Sequence, residues 1–109
     1  MRGVVLLPLL GVGCVTTSVA RLSPAKYEPR PTQSSVAVYS SQQPTCDYTE
    51  LAIVKAHRET WMISHDAALD ALRNKARKLG GDALVRLAFD ESDAITGTVI
   101  RFDHEDCRH

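Results

Sequence analysis

The chain has 109 residues, with 13 Lys and Arg against 13 Asp and Glu, and no formal net charge at pH 7. That balance lacks the basic footprint of a nucleic-acid binder. Once any leader and linker are set aside, the length leaves room for one modest core whose burial alone gives marginal stability, so some reinforcement is expected.

The first element is the apolar run "GVVLLPLLGVGC", residues 3–14. A membrane-spanning helix needs about 20 apolar residues; this run is shorter and contains Pro8. Its place directly after Met1 and Arg2 matches the charged start and short apolar stretch of a secretory signal. Gly11, Val12 and Gly13 ahead of Cys14 resemble the bacterial lipobox, with Gly11 standing where that pattern prefers Leu. The resemblance implies cleavage before a cysteine whose thiol already carries a diacylglyceryl group. Residues 1–13 are then a lipoprotein signal peptide, and Cys14 is the lipidation site of a palmitate-bearing lipoprotein. The alternatives are an ordinary cleaved signal peptide or an apolar N-terminal strand. Val15 follows the cysteine, whereas lipoproteins retained in the inner membrane resemble Cys-Asp instead. The expected location is therefore the outer membrane, facing the periplasm.

Residues 15–35, "VTTSVARLSPAKYEPRPTQSS", carry Pro24, Pro29 and Pro31, several Ser and Thr, and no sustained period. With Cys14 they read as a lipid-anchored flexible tether. Proline favours extended geometry at about 3.1 Å per residue, so the folded part, residues 36–109, would stand off the membrane.

Four further elements follow. "SVAVYS" is a short strand candidate, bounded by the turn-forming "SSQQPT". Residues 48–57, "YTELAIVKAH", are apolar on both alternations, as in a strand covered on both faces, which predicts the middle of the sheet. In "ISHDAALDALRNKARKLGG", Ala68, Leu69, Leu72, Ala76 and Leu79 draw one apolar stripe along a helix. Ser64 is placed to cap it and Gly80-Gly81 to stop it; Asp66 and Asp70 sit near its positive end, and Arg73, Lys75, Arg77 and Lys78 crowd the negative end as a solvated face. "DALVRLAF" then alternates so that Ala83, Val85, Leu87 and Phe89 share a face. "ESDAITG" turns the chain, and "TVIRF" sets Ile100 and Phe102 against Val99 and Arg101, completing an antiparallel hairpin. The expected fold is α+β, β-β-α-β-β, with one amphipathic helix on one face of a small, mostly antiparallel sheet.

"ALDALRNKARKLGGDALVRLAFDE", and within it "LGGDALV", resembles the helix-then-strand core of small bacterial envelope domains grouped with the Rcs-phosphorelay sensor lipoprotein and the YbjQ-like proteins that carry a heavy-metal-binding label. The family phrase has alanine where this chain has the second glycine. "GTVIRF" looks like the closing strand of the same group, and "PTCDYTELAIV" like its cysteine-led second strand. The resemblance implies the compartment and fold above and a sensing or assembly role, and it transfers no metal ligand. Function itself must be argued from a site.

Sites are sparse. His57, His65, His104 and His109 are scattered, no serine sits in a nucleophile elbow, and no glycine-rich loop follows a strand. Ser64, His65 and Asp66 form a triad by letters only. The chain is expected not to be an enzyme and to use no cofactor. The favoured reading is a lipid-anchored envelope protein acting through protein contacts, with the membrane and an unidentified envelope protein as partners and no nucleic acid. Trp61 and Met62, large apolar groups in the polar "HRETWMIS", are the expected partner contact, although Trp61 covering the helix's first turn is the plainer alternative. The second functional reading is metal or small-ligand binding by the tail "DHEDCRH", through His104, Cys107 and His109.

Three cysteines make an odd count. With Cys14 consumed by lipid, Cys46 and Cys107 are left as the single possible pair. An oxidising periplasm favours the disulfide. It requires the closing strand to run antiparallel to the strand that starts after Cys46.

Overall fold

The computed structural model describes residues 15–39, 42–58, 64–89 and 94–107. Cys14, Trp61, Met62 and His109 lie outside the described residues. The described chain forms β1 (Val15–Arg21), β2 (Ala37–Tyr39), β3 (Tyr48–Arg58), the helix α1 (His65–Lys78), β4 (Ala83–Phe89), β5 (Ala94–Phe102) and a short 3-10 turn (Glu105–Cys107). The strands make one five-stranded sheet in the order β1-β3-β5-β4-β2. All its pairings are antiparallel except β2 with β4, which is parallel. α1 packs on one face, chiefly over β3, giving the expected α+β fold.

α1 forms for the reasons its sequence states. The Ser64 side chain accepts a hydrogen bond from the Ala67 N–H at 3.1 Å, satisfying one of the donors a helix start leaves over. Ala68, Leu72 and Ala76 of the apolar stripe are fully buried, with Leu69 and Leu79 partly so. The helix seats on Ala52, Val54 and Ala56 of β3, Leu84 of β4, and Ile95 and Val99 of β5. Alanine at Ala52, Ala56, Ala68 and Ala76 lets helix and sheet approach closely. The two glycines after the helix serve different ends. Gly80 adopts φ 84°, the left-handed conformation of a helix stop. A Cβ on Gly81 would meet Val99 Cγ1 at 2.3 Å and the Ala76 carbonyl oxygen at 3.2 Å, so Gly81 is there for close packing.

Three expectations are corrected. The first concerns residues 15–35, which are no tether. β1 pairs with β3 along its full length, from Val15 opposite Arg58 to Arg21 opposite Ala52. The chain beyond it is tied beneath the helix C-terminus: the Arg30 N–H donates to the Arg77 carbonyl at 2.7 Å, and Arg77 Nε donates to the Ser34 carbonyl at 2.6 Å. The prolines begin only at Pro24, and "VTTSVAR" by itself is β-branched and strand-like.

The second concerns the middle of the sheet, which is β5 and not β3. β3 has Ala52, Val54 and Ala56 buried under the helix, but its other face carries Lys55 and Ile53, the latter 39% exposed. β5 is buried on both faces: Ile95 and Val99 join the core under the helix, while Ile100 and Phe102 join a second, smaller cluster behind the sheet with Ala83 and Val85.

The third concerns β4. Its register slips between Val85 and Ala88, and Arg86 within the slip has φ 54°. Such a bulge inserts one residue and reverses the alternation after it. Leu87 is thereby moved off the face of Ala83 and Val85 and packs with Leu84 against the helix-side core. Phe89 follows it, edge-on to His65 of α1 with ring centroids 5.7 Å apart.

Removing residues 15–35 strips a strand from β3 and takes Arg30 from its buried partner Asp82. Breaking a buried ion pair alone costs about 3–5 kcal/mol. In urea denaturation a chain beginning at Val36 is expected to lose its cooperative transition relative to one beginning at Val15; equal stability would mean that β1 is dispensable. Gly81→Ala, which overpacks the helix–sheet contact, is expected to lower stability by about 1–3 kcal/mol in the same assay.

Candidate functional site

The chemistry-bearing residues gather at one end of the sheet. Because β3 and β5 are antiparallel, Tyr48 at the start of β3 lies opposite Phe102 at the end of β5. Cys46 precedes the one and Cys107 follows the other, and they form a disulfide with their Cα atoms 6.3 Å apart and 61 residues of separation. Cys46, Cys107, Tyr39 and Tyr48 pack over the small cluster of Ala83, Val85, Ile100 and Phe102. This cluster is too small to be a core in its own right, and the covalent bond supplies what apolar burial there does not. The connection into the bridge is also fixed by hydrogen bonds. The Asp103 N–H donates to the Asp47 carbonyl at 3.0 Å, Thr49 Oγ1 bonds Asp103 Oδ1 at 2.8 Å, and the Cys107 N–H donates to the His104 carbonyl at 3.2 Å.

A cleft of about 330 Å³ opens beside the bridge, lined by residues that include Arg30, Ser34, Tyr39, Asp82, Phe102 and Cys107. A smaller hollow of about 150 Å³, with Pro44 and Cys46 in its lining, shares Tyr39, Phe102 and Cys107 with it. The polar group of the larger cleft is the Arg30–Asp82 pair. Arg30 Nη2 stands 3.1 Å from Asp82 Oδ1, and the two side chains are 14% and 7% exposed. Asp82 Oδ2 also accepts from the Phe102 N–H at 3.0 Å. A buried carboxylate needs this set of partners. Its role is to latch the segment before β2 to the end of β5. A neighbouring latch has the same purpose: Arg101 Nη1 donates to the Gly80 carbonyl at 2.8 Å, with its guanidinium over the Tyr27 ring at 4.6 Å from the centroid.

Behind the sheet, Arg86 reaches across β5 to the Glu50 carboxylate on β3. A hydrogen bond with Tyr48 and then the bond and charge of Glu50 raise the Arg86 pKa above its ordinary value. The guanidinium is therefore charged throughout the range in which the protein works.

The sequence candidates fall as follows. Ser64 is a helix cap, and His65 meets the Phe89 ring edge-on, so the letters Ser-His-Asp make no triad. Of the basic residues on α1, Arg73 bonds Asp70 at 3.0 Å, while Arg77 bonds Ser34 and Asn74. Among the described residues, no three His, Cys, Asp or Glu side chains are grouped to hold a metal ion. In the tail, Cys107 is bound to Cys46, and the thiolate that a His104, Cys107 and His109 site would use is taken. No helix among the described residues is long and apolar enough to cross a membrane. The cleft at Arg30 and Asp82 was not found from sequence. Its signal was weak, since Arg30 stands in a proline-rich stretch and Asp82 in a turn, and nothing in either neighbourhood links positions so far apart in the chain.

Fold and site together define a small α+β domain whose sheet is clasped at one end by a disulfide. No family model, curated protein or solved structure matches the chain. The likeness to envelope domains rests on the quoted phrases alone.

In the loop-closure description, a cross-link across 61 residues removes denatured-state freedom equivalent to about 4 kcal/mol. A Cys46→Ala, Cys107→Ala variant is expected to lose about 2–5 kcal/mol in urea denaturation. Intact mass after alkylation is expected to show no free thiol among these two before reduction and two after it. Two alkylated thiols without reductant would contradict the bridge.

Proposed function

We propose that the chain is a lipid-anchored protein of the bacterial cell envelope, facing the periplasm from the outer membrane and acting through protein contacts in sensing, assembly or scaffolding. The observation that carries this reading is the use of the three cysteines. Cys46 and Cys107 are joined, and disulfides persist in oxidising compartments. The cysteine left over, Cys14, stands directly behind the short apolar run that resembles a lipoprotein signal. One oxidised pair and one cysteine at a lipobox-like position are consistent with an exported lipoprotein. The phrase "LGGDALV", which resembles envelope domains, points the same way.

The reading of a protein-contact role follows from what the domain offers. The large cleft has its one ion pair committed to holding the fold, and the disulfide bond removes the soft ligand from the tail. What is presented to solvent is shaped surface, with the half-buried Tyr39 beside the bridge. A surface of that kind supports a binding role.

Cys14 is expected to carry diacylglyceryl, and the full chain expressed in bacteria is expected to fractionate with membranes. Two or three acyl chains hold a protein stably where one does not. Cys14→Ser is expected to release it to the soluble fraction, checked by fractionation and by the mass of the N-terminal peptide. Equal membrane association of the Cys14→Ser chain would refute the anchor.

A further inference from the structure

We infer that the sheet end carrying Phe89 is held against the bilayer surface and that the disulfide end points away from it; this rests on the lipid anchor at Cys14 proposed above. Val15 is the first residue of β1 and is paired with Arg58, at the far end of β3 from Cys46. Consecutive Cα atoms are about 3.8 Å apart, so an acylated Cys14 joins the sheet with no spacer between. A flexible linker the length of residues 15–35 would have given the domain a reach of roughly 25 Å and no fixed attitude. With β1 in the sheet, that freedom is gone.

The strand directions decide which surface is brought down. β1 starts where β3 ends, β5 starts beside the end of β3, and β4 ends beside the start of β5. Val15, Arg58, Ala94 and Phe89 are therefore at one end. The start of α1 is there too, since His65 meets the Phe89 ring. Phe89 is 60% exposed, the highest value among the exposed large apolar side chains described. An aromatic ring beside an acyl anchor is suited to the boundary between headgroups and chains. The covalent anchor, directly before Val15 in the sequence, sets the contact. The opposite end, with the cleft, Tyr39 and the disulfide, then faces the periplasm as the surface a partner meets.

The test uses the full lipidated chain in vesicles of phosphatidylethanolamine and phosphatidylglycerol. A fluorophore is placed at one engineered cysteine, Ala67→Cys in the first turn of α1 or Lys78→Cys in its last, both at exposed positions. At a rise of about 1.5 Å per residue these sites are roughly 16 Å apart along the helix. Cys46 and Cys107 are protected by their bond, and Cys14 by its thioether, so the label is unique. With nitroxide-headgroup lipid in the vesicles, the label at 67 is expected to lose fluorescence while that at 78 largely keeps it. Inserting about ten Gly and Ser residues between Cys14 and Val15 is expected to abolish the difference by restoring a flexible tether. Equal quenching at both sites without the insert, or stronger quenching at 78, overturns the orientation while leaving the anchor in place. Absence of diacylglyceryl from Cys14 in the mass spectrum overturns the anchor and the orientation with it.

Discussion

The structure depends on β5 being buried on both faces. A strand between two antiparallel neighbours has all its backbone groups in ladders, and in this one both side-chain rows are apolar as well: Ile95 and Val99 under the helix, Ile100 and Phe102 behind the sheet. Everything else is arranged around it. The antiparallel registers with β3 and β4 bring the start of each of those strands to the end of β5, so the cysteines meet and Asp82 can receive the Phe102 N–H. Arg86 and Glu50, on the strands to either side, can join only across it.

The two faces are reinforced by different means. Under the helix there is enough apolar surface to fill a core, with Leu72, Leu84, Ile95 and Val99 fully buried. Behind the sheet the cluster is small, and there the fold relies on a disulfide and on the Arg86–Glu50 strap. This division suits a short chain, which cannot cover both faces of a five-stranded sheet by burial alone. The bulge at Arg86 serves both sides, since it aims that side chain at Glu50 and returns Leu87 to the helix-side core. A non-glycine residue at φ 54° is tolerated because its side chain gains two polar partners.

If Cys14 carries the proposed lipid, a domain whose first strand starts at the next residue differs in kind from one on a long tether. The tethered domain searches a volume, and the other presents one fixed surface at a fixed height. Residues 22–35, part of the stretch whose composition reads as spacer, are instead held under the C-terminus of α1 by Arg30, Arg77 and Arg101. Their prolines shape a bound loop. On that reading a partner would be met away from the membrane, at the end of the sheet that the disulfide stiffens.

The sequence alone determined the elements whose signals are local. The helix was legible because its stripe, its Ser64 cap and its Gly80 stop all lie within one short stretch, and the single cysteine pair because arithmetic leaves one choice once Cys14 is assigned to lipid. The hairpin of β4 and β5 was legible from alternation on both sides of a turn. Tertiary structure alone decided the rest. Apolar residues on both alternations mark β3 and β5 alike, and only the order of the strands determines which has a neighbour and a cover on every side. The strand character of residues 15–21 is a weak local preference that becomes structure because the edge of β3 is there to pair with it, far along the chain. The Arg86 bulge reverses which face Leu87 joins, and no alternation pattern carries that, because the extra residue is fixed by a salt bridge to another strand. Arg30 and Asp82 meet for the same reason: pairing across the chain is set by the sheet, and residues distant in sequence carry no mark of it.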